Sequence, residues 1–217
     1  MRAFVAAAAA LLAGACATQR PPPPLAGVPP PAPIEQHLAA IHADAERSEH
    51  EHDAAARAAL SQDASRQADA CLTMDPTAAA CLYGHAIALG LEARAHPAHA
   101  VEALKQMLAA LGAAEAADPG YDEAGPARVR ALVLTRAPGW PLGPGDPAAG
   151  VAAARRAVSL RPGYPPNVLA LAEALAKSGD TDGARAAFQE ARDQAQKLPA
   201  SAERDEWLSE ANRGLQR

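Results

Sequence analysis

From Gly150 onward the small and apolar residues fall at regular intervals. Gly150, Ala154, Ala157 and Pro162 are answered 34 residues later by Ala184, Phe188, Ala191 and Gln196. Between the two sets, Val168, Leu171, Ala172 and Leu175 make an apolar stripe with the spacing of one helix face. The segment predicts helix, turn, helix, turn, helix, with small side chains where the helices meet. A 34-residue period is that of a helix-turn-helix repeat.

Upstream the same logic gives more helices. Residues 34–74 hold neither Gly nor Pro, too long a run for one ordinary helix. Ser48 and Glu51 have the spacing of a capping box, which predicts a break there and helices over 34–47 and 49–73. Asp75-Pro76 predicts the start of a third helix, carrying Leu82, His85, Ala86 and Leu89. His96-Pro97 opens a fourth, ending near Ala117, and a fifth covers 125–136. Residues 137–145 hold three prolines and three glycines and must form a loop. Asp146-Pro147, Pro165-Pro166, Asp180 and Ser201 start the sixth to ninth.

A second, longer period underlies the first. Cys71, Ala114 and Ala157 each precede a proline by five positions, and Pro76, Pro119 and Pro162 are 43 residues apart. Pro119-Gly120-Tyr121 is echoed by Pro162-Gly163-Tyr164. The nine residues beyond 34 are expected as longer turns within each earlier hairpin.

Composition narrows the class. Hydrophobic residues make up 49% but aromatics only 3%, because alanine dominates. Alanine has the highest helix propensity and lets helices approach closely, so the expected fold is all-α. A net charge of -5 and the lack of a dense Lys/Arg run exclude a nucleic-acid surface.

The first residues have a different purpose. Arg2, the uncharged run 3–15 and the small residues before Cys16 predict a signal peptide over 1–15, too short to span a bilayer. Leu12-Ala13-Gly14-Ala15-Cys16 resembles a bacterial lipobox, which implies lipidation of Cys16, an alternative being an ordinary signal peptide cut nearby. The residue after Cys16 is not Asp, so the resemblance implies the periplasmic face of the outer membrane. Without Arg2 the chain has 19 basic and 25 acidic residues. Residues 16–33, rich in proline, predict an extended tether, and residues 34–217 a single helical domain.

Candidate chemistry is sparse. Cys71 and Cys81 flank the Asp75-Pro76 turn at similar distances, which an antiparallel hairpin brings level; a disulfide is expected, with two buried free thiols as the alternative. His50 and His52 alternate and point about 200° apart on a helix, and His96 and His99 lack a third ligand, so no metal is expected. No nucleophile–base pair, phosphate loop or paired-carboxylate pattern is apparent; the chain reads as a non-enzyme without cofactors.

Gly150, Ala154, Ala157, Pro162 and their partners resemble the tetratricopeptide repeat, although no Trp opens a repeat and Gln196 replaces a proline. Asp118-Pro119-Gly120-Tyr121, Gly125 to Val129, Arg136 to Gly139, Gly145-Asp146 and Tyr164 to Asn167 resemble the TatT-type lipoproteins associated with tripartite ATP-independent periplasmic transporters. This resemblance implies a helical-repeat accessory of solute uptake. Its partner would be a protein, such as a periplasmic solute-binding subunit, or a small organic-acid ligand; a homo-oligomer is left open. The alternative is a structural scaffold of an envelope assembly or secretion complex. In such repeats the first helix of each hairpin lines the inner face. That puts Asn167, Leu169, Glu173 and Lys177 there, with Arg128 and Arg130 as clamps for a carboxylate. The alternative is that these are ordinary solvated charges. Trp140 and its loop, 137–145, are candidates for ligand or partner binding, the alternative for Trp140 being a lid packed on the core, and Phe188 and Trp207 are expected as core.

Overall fold

The computed structural model describes residues 33–216. The signal peptide, Cys16 and nearly all of the tether lie outside the described residues. The rest forms nine α-helices among the described residues: α1 Ile34–His50, α2 Ala54–Met74, α3 Ala79–Ala95, α4 Ala100–Ala117, α5 Tyr121–Arg136, α6 Pro147–Leu160, α7 Pro165–Ser178, α8 Thr181–Gln196 and α9 Ala202–Leu215. Consecutive helices pack as antiparallel hairpins. Odd-numbered helices also touch one another, α1 on α3, α5 on α7 and α7 on α9, and so form one layer of a solenoid, with the even-numbered helices as the other. None of the described helices is long and apolar enough to cross a membrane.

Alanine makes this packing possible. Ala64, Ala68, Ala114, Ala127, Ala131, Ala154, Ala157 and Ala172 have no exposed surface. Leu111, Ile41 and Val168 supply the bulk between them. Gly214 on α9 lies against the Phe188 ring, where a Cβ would come within 2.5 Å of three ring carbons.

The caps explain most boundaries. Asp146 accepts from the Ala149 N–H, Asp180 from Gly183 and Ser201 from Arg204. The first boundary differs from the capping-box expectation. Ser48 is buried inside α1, which continues to His50, and Asp53 caps α2 through the Ala56 N–H. A serine on the core-facing side cannot serve as a cap, and Asp53, five residues on, takes the role. Asp75 likewise does not start a helix: its carboxylate accepts from the Thr77 and Ala78 N–H groups, closing a turn before α3 begins at Ala79.

The 43-residue period is structural. The N–H groups of Asp75, Asp118 and Arg161 donate to the carbonyls of Cys71, Ala114 and Ala157, ending α2, α4 and α6 alike. The extra residues are not always in turns. In the α5–α6 hairpin they form loop 137–145, but in the α3–α4 hairpin they lengthen the helices to 17 and 18 residues.

Candidate functional site on the inner face

The inner face of α5, α7 and α9 gathers the most charge across helices. Arg136, in the last turn of α5, reaches Glu173 on α7. Its Nε donates to Oε1 at 2.8 Å and Nη2 to Oε2 at 2.7 Å, a bidentate pair. The Glu173 hydrogen bonds, followed by its charge, raise the Arg136 pKa against the cost of burial. Glu210 of α9 stands beside this pair. Burial raises its carboxyl above the ordinary value, Arg136 and Arg213 oppose that rise, and the carboxylates of Glu173 and Glu206 add to it.

Arg136 borders three clefts. One, of about 330 Å³, is lined by Glu173, Phe188, Glu210, Arg213 and Gly214. A second, of about 240 Å³, runs past Leu169, Glu206 and Trp207. The third, of about 390 Å³, is apolar and lies between α3, α4 and α5. A larger cleft of about 960 Å³ separates α1 and α2. Both its arginines are paired within their own helices, Arg47 with Asp44 and Arg66 with Asp63, so it offers no free guanidinium to a ligand.

The structure sorts the residues singled out in the sequence. Cys71 and Cys81 form a disulfide, S–S 2.01 Å, with both residues fully buried. Glu173 does lie on the inner face. Asn167 does not offer itself to a ligand: it is fully buried, its Nδ2 donating to the carbonyls of Glu123, Ala157 and Arg161. Arg128 is likewise engaged. Its guanidinium pairs with Asp122 at 2.8 Å, donates to Asn167 Oδ1 and lies 5.3 Å from the Tyr164 ring centroid, leaving 12% of the side chain exposed. Arg130 faces away from it toward Glu115 of α4, 3.9 Å distant, because positions two apart on a helix point nearly opposite ways. Trp140 is no lid on the core; it is 90% exposed. Phe188 is buried, and Trp207 is half-buried edge-on to Tyr164.

Arg136 was not singled out by sequence reasoning as a site residue. The signal was the series Arg128, Leu132, Arg136, at i, i+4 and i+8, which lines a single cleft. The buried link between Arg128 and α7 starts from an unusual turn. Asp122, Glu123 and Ala124 have φ of 48°, 53° and 63°, a left-handed excursion of three non-glycine residues at the start of α5. Each costs roughly 1–2 kcal/mol. Arg128 holds the turn through the Asp122 carboxylate and the Asp122 and Glu123 carbonyls. The hydroxyl of Tyr83, from α3, stands beside Asp122: both its oxygen and Asp122 Oδ2 lie within 3 Å of where a Cβ on Gly125 would sit. No group of three or more His, Cys, Asp or Glu placed to hold a metal ion occurs among the described residues.

Residues 142–203 match the tetratricopeptide repeat family model. No curated protein matches the chain. The match covers α6, α7 and α8, where the 34-residue register is clearest. With the hairpin layers described above, the fold is an all-α solenoid of tetratricopeptide type. Repeats of this kind stack hairpins to create extended concave surfaces for binding other proteins.

Proposed function

We propose that this chain is a lipid-anchored periplasmic binding module whose inner face across α5, α7 and α9 holds a protein partner during solute uptake. The observation that carries the binding face is the cross-helix charge cluster of Arg136, Glu173 and Glu210 beside half-buried Trp207. Aromatic and arginine groups of this kind anchor protein interfaces. The lipobox-like run ending at Cys16 supports the anchor and the outer membrane. The segment from Asp118 to Asn167 supports kinship with the TatT-type accessories of tripartite ATP-independent periplasmic transporters. A solute-binding subunit is then the natural partner. A small organic acid fits less well, because Arg128 and Arg136 are both already matched by a carboxylate. The module is non-catalytic in this reading.

The open character of the inner-face clefts equally suits a static scaffold in an envelope assembly complex. Crosslinking in intact cells followed by mass spectrometry separates the two. Recovery of a solute-binding subunit, abolished by Glu210→Lys, is expected for the uptake role. Recovery of envelope-assembly proteins alone refutes that role. Radiolabelled palmitate incorporated by the wild type and absent from Cys16→Ser is the expected sign of the anchor; label persisting in the variant refutes it.

A further inference from the structure

Trp140 and Leu142, 90% and 74% exposed, are the two most exposed large apolar side chains among the described residues. They crown loop 137–145, which carries no charged residue. The loop is closed on itself. The Gly145 N–H donates to the Pro138 carbonyl at 2.8 Å, and the Leu142 and Gly143 N–H groups share the Gly139 carbonyl. A Cβ on Gly143 would lie 2.6 Å from the Pro138 oxygen, and one on Gly145 would collide with the Ala137 oxygen. Backbone packing therefore fixes a stiff protrusion that holds an indole out in water, the pre-organised arrangement that makes a good anchor.

Where α5 runs into the loop, Arg136 and Ala137 line the apolar cleft of about 390 Å³. Leu104, Met107, Val129 and Val133 are among its walls. It opens where α3 and α5, neighbours in the inner layer, barely touch. The chain thus carries an apolar knob and an apolar hole side by side at the same end of α5, and the knob does not enter its own hole.

We propose that the Trp140–Leu142 tip of one copy seats in the α3–α4–α5 cleft of a second copy, reciprocally, making a two-fold dimer. Because knob and hole adjoin, a two-fold axis passing between them places each knob at the other's hole. A tryptophan buries about 150–250 Å². With Leu142 and the matching cleft walls, two insertions remove on the order of 1,000 Å², about the least that a specific interface buries. A bilayer is the weaker occupant. The helices alternate in direction, so Ile34, where the chain enters the domain, lies at the opposite end from loop 137–145.

The test is sedimentation velocity and native mass spectrometry of the mature lipidated chain in detergent. A concentration-dependent dimer is expected, and Trp140→Ser, a change at an exposed loop tip that leaves the fold intact, raises its Kd at least 30-fold. Leu104→Glu blocks the hole to a similar degree. Mixing the two variants restores a heterodimer through the one remaining insertion. In a Trp207→Phe background, Trp140 fluorescence is shielded from acrylamide at high concentration and exposed on dilution. A chain that stays monomeric at about 100 µM, a dimer indifferent to Trp140→Ser, a trimer or larger ring, or a tip that captures only a different protein each overturns the proposal.

Discussion

The turn that joins α2 to α3 and the turn that joins α6 to α7 solve one problem with different chemistry. Cys71 and Cys81 in the first correspond to Ala157 and Asn167 in the second, pair for pair, and all four are buried. The first pair is closed by a disulfide, with Cα atoms 5.3 Å apart. The second is closed by the Asn167 amide, which donates to the Ala157 carbonyl at 3.3 Å. The difference lies in reach. A disulfide fastens two points and ends there. Asn167 also donates to the Glu123 carbonyl and accepts from Arg128, so it ties its own turn to the neighbouring unit. Between them, the α4–α5 turn has Ala114 and Ala124 at the same positions and no fastener of either kind. There the left-handed residues 122–124 stand, held from outside by Arg128, with the Tyr83 hydroxyl packed beside Asp122.

Breaking the polar fastener should cost most. Asn167→Ala removes a buried amide that donates to the carbonyls of Glu123, Ala157 and Arg161, each of which keeps a second donor, and takes from Arg128 its Oδ1 acceptor. The expected loss is about 4 kcal/mol, from three amide donations at about 1 kcal/mol each and one bond to a guanidinium at roughly 1.5–3, less partial relaxation. Urea denaturation measures it; a loss below 1 kcal/mol would mean that water replaces the amide freely. The exchange Ala157→Cys with Asn167→Cys sharpens the comparison further. A bridge should form if the two turns are equivalent, yet stability should still fall, since no sulfur replaces the bonds to Glu123 and Arg128.

Removing the covalent fastener comes next. Cys71→Ala with Cys81→Ala gives the first turn the alanines that the middle turn already has. Loop-closure entropy for about ten residues puts the loss near 3 kcal/mol. For a domain of this size that is a fall in Tm of roughly 6–12 °C. Reductant should lower the wild-type Tm toward the same value and leave the double variant unmoved.

How much of this was legible follows from the range of each interaction. The caps at Asp146, Asp180 and Ser201 were readable because a cap is decided within three residues. The disulfide was readable because the hairpin and the 43-residue period put the two cysteines level. Ser48 misled because its capping pattern is local while its burial against the rest of the domain is not. Arg128 and Asn167 were placed on the correct helices but given to a ligand. Nothing near them in sequence announces the left-handed turn that consumes them both. For Trp140 the alternative of a lid on the core falls, because the loop's glycines close it on itself and leave the ring outside.

The middle turn offers a smaller steric test. A Cβ on Gly125 would lie 2.5 Å from Asp122 Oδ2 and 2.8 Å from the Tyr83 hydroxyl. Gly125→Ala must therefore push apart the groups that hold the left-handed residues. Overpacking of this kind costs about 2 kcal/mol. If the turn has slack that the other two lack, calorimetry will find no loss.

Least in size, but most specific to the middle turn, is its response to alkali. The first turn has no titrating fastener, whereas Tyr83 lends the middle turn a hydroxyl. Burial, followed by the charge of Asp122, raises the Tyr83 pKa well above the ordinary tyrosine value of 10.0. The folded chain therefore keeps this proton at pH values where the unfolded chain has lost it. The stabilisation is fully present below about pH 10 and is lost as pH rises beyond it. Tyr83→Phe should cost about 1 kcal/mol at neutral pH, the typical worth of one polar contact, and should flatten the alkaline fall in stability. Burial also raises Tyr121 and Tyr164, so the slope remaining in Tyr83→Phe belongs to those two residues. A variant with the wild-type slope would show that the Tyr83 hydroxyl is wet, and that the left-handed turn rests on Arg128 alone.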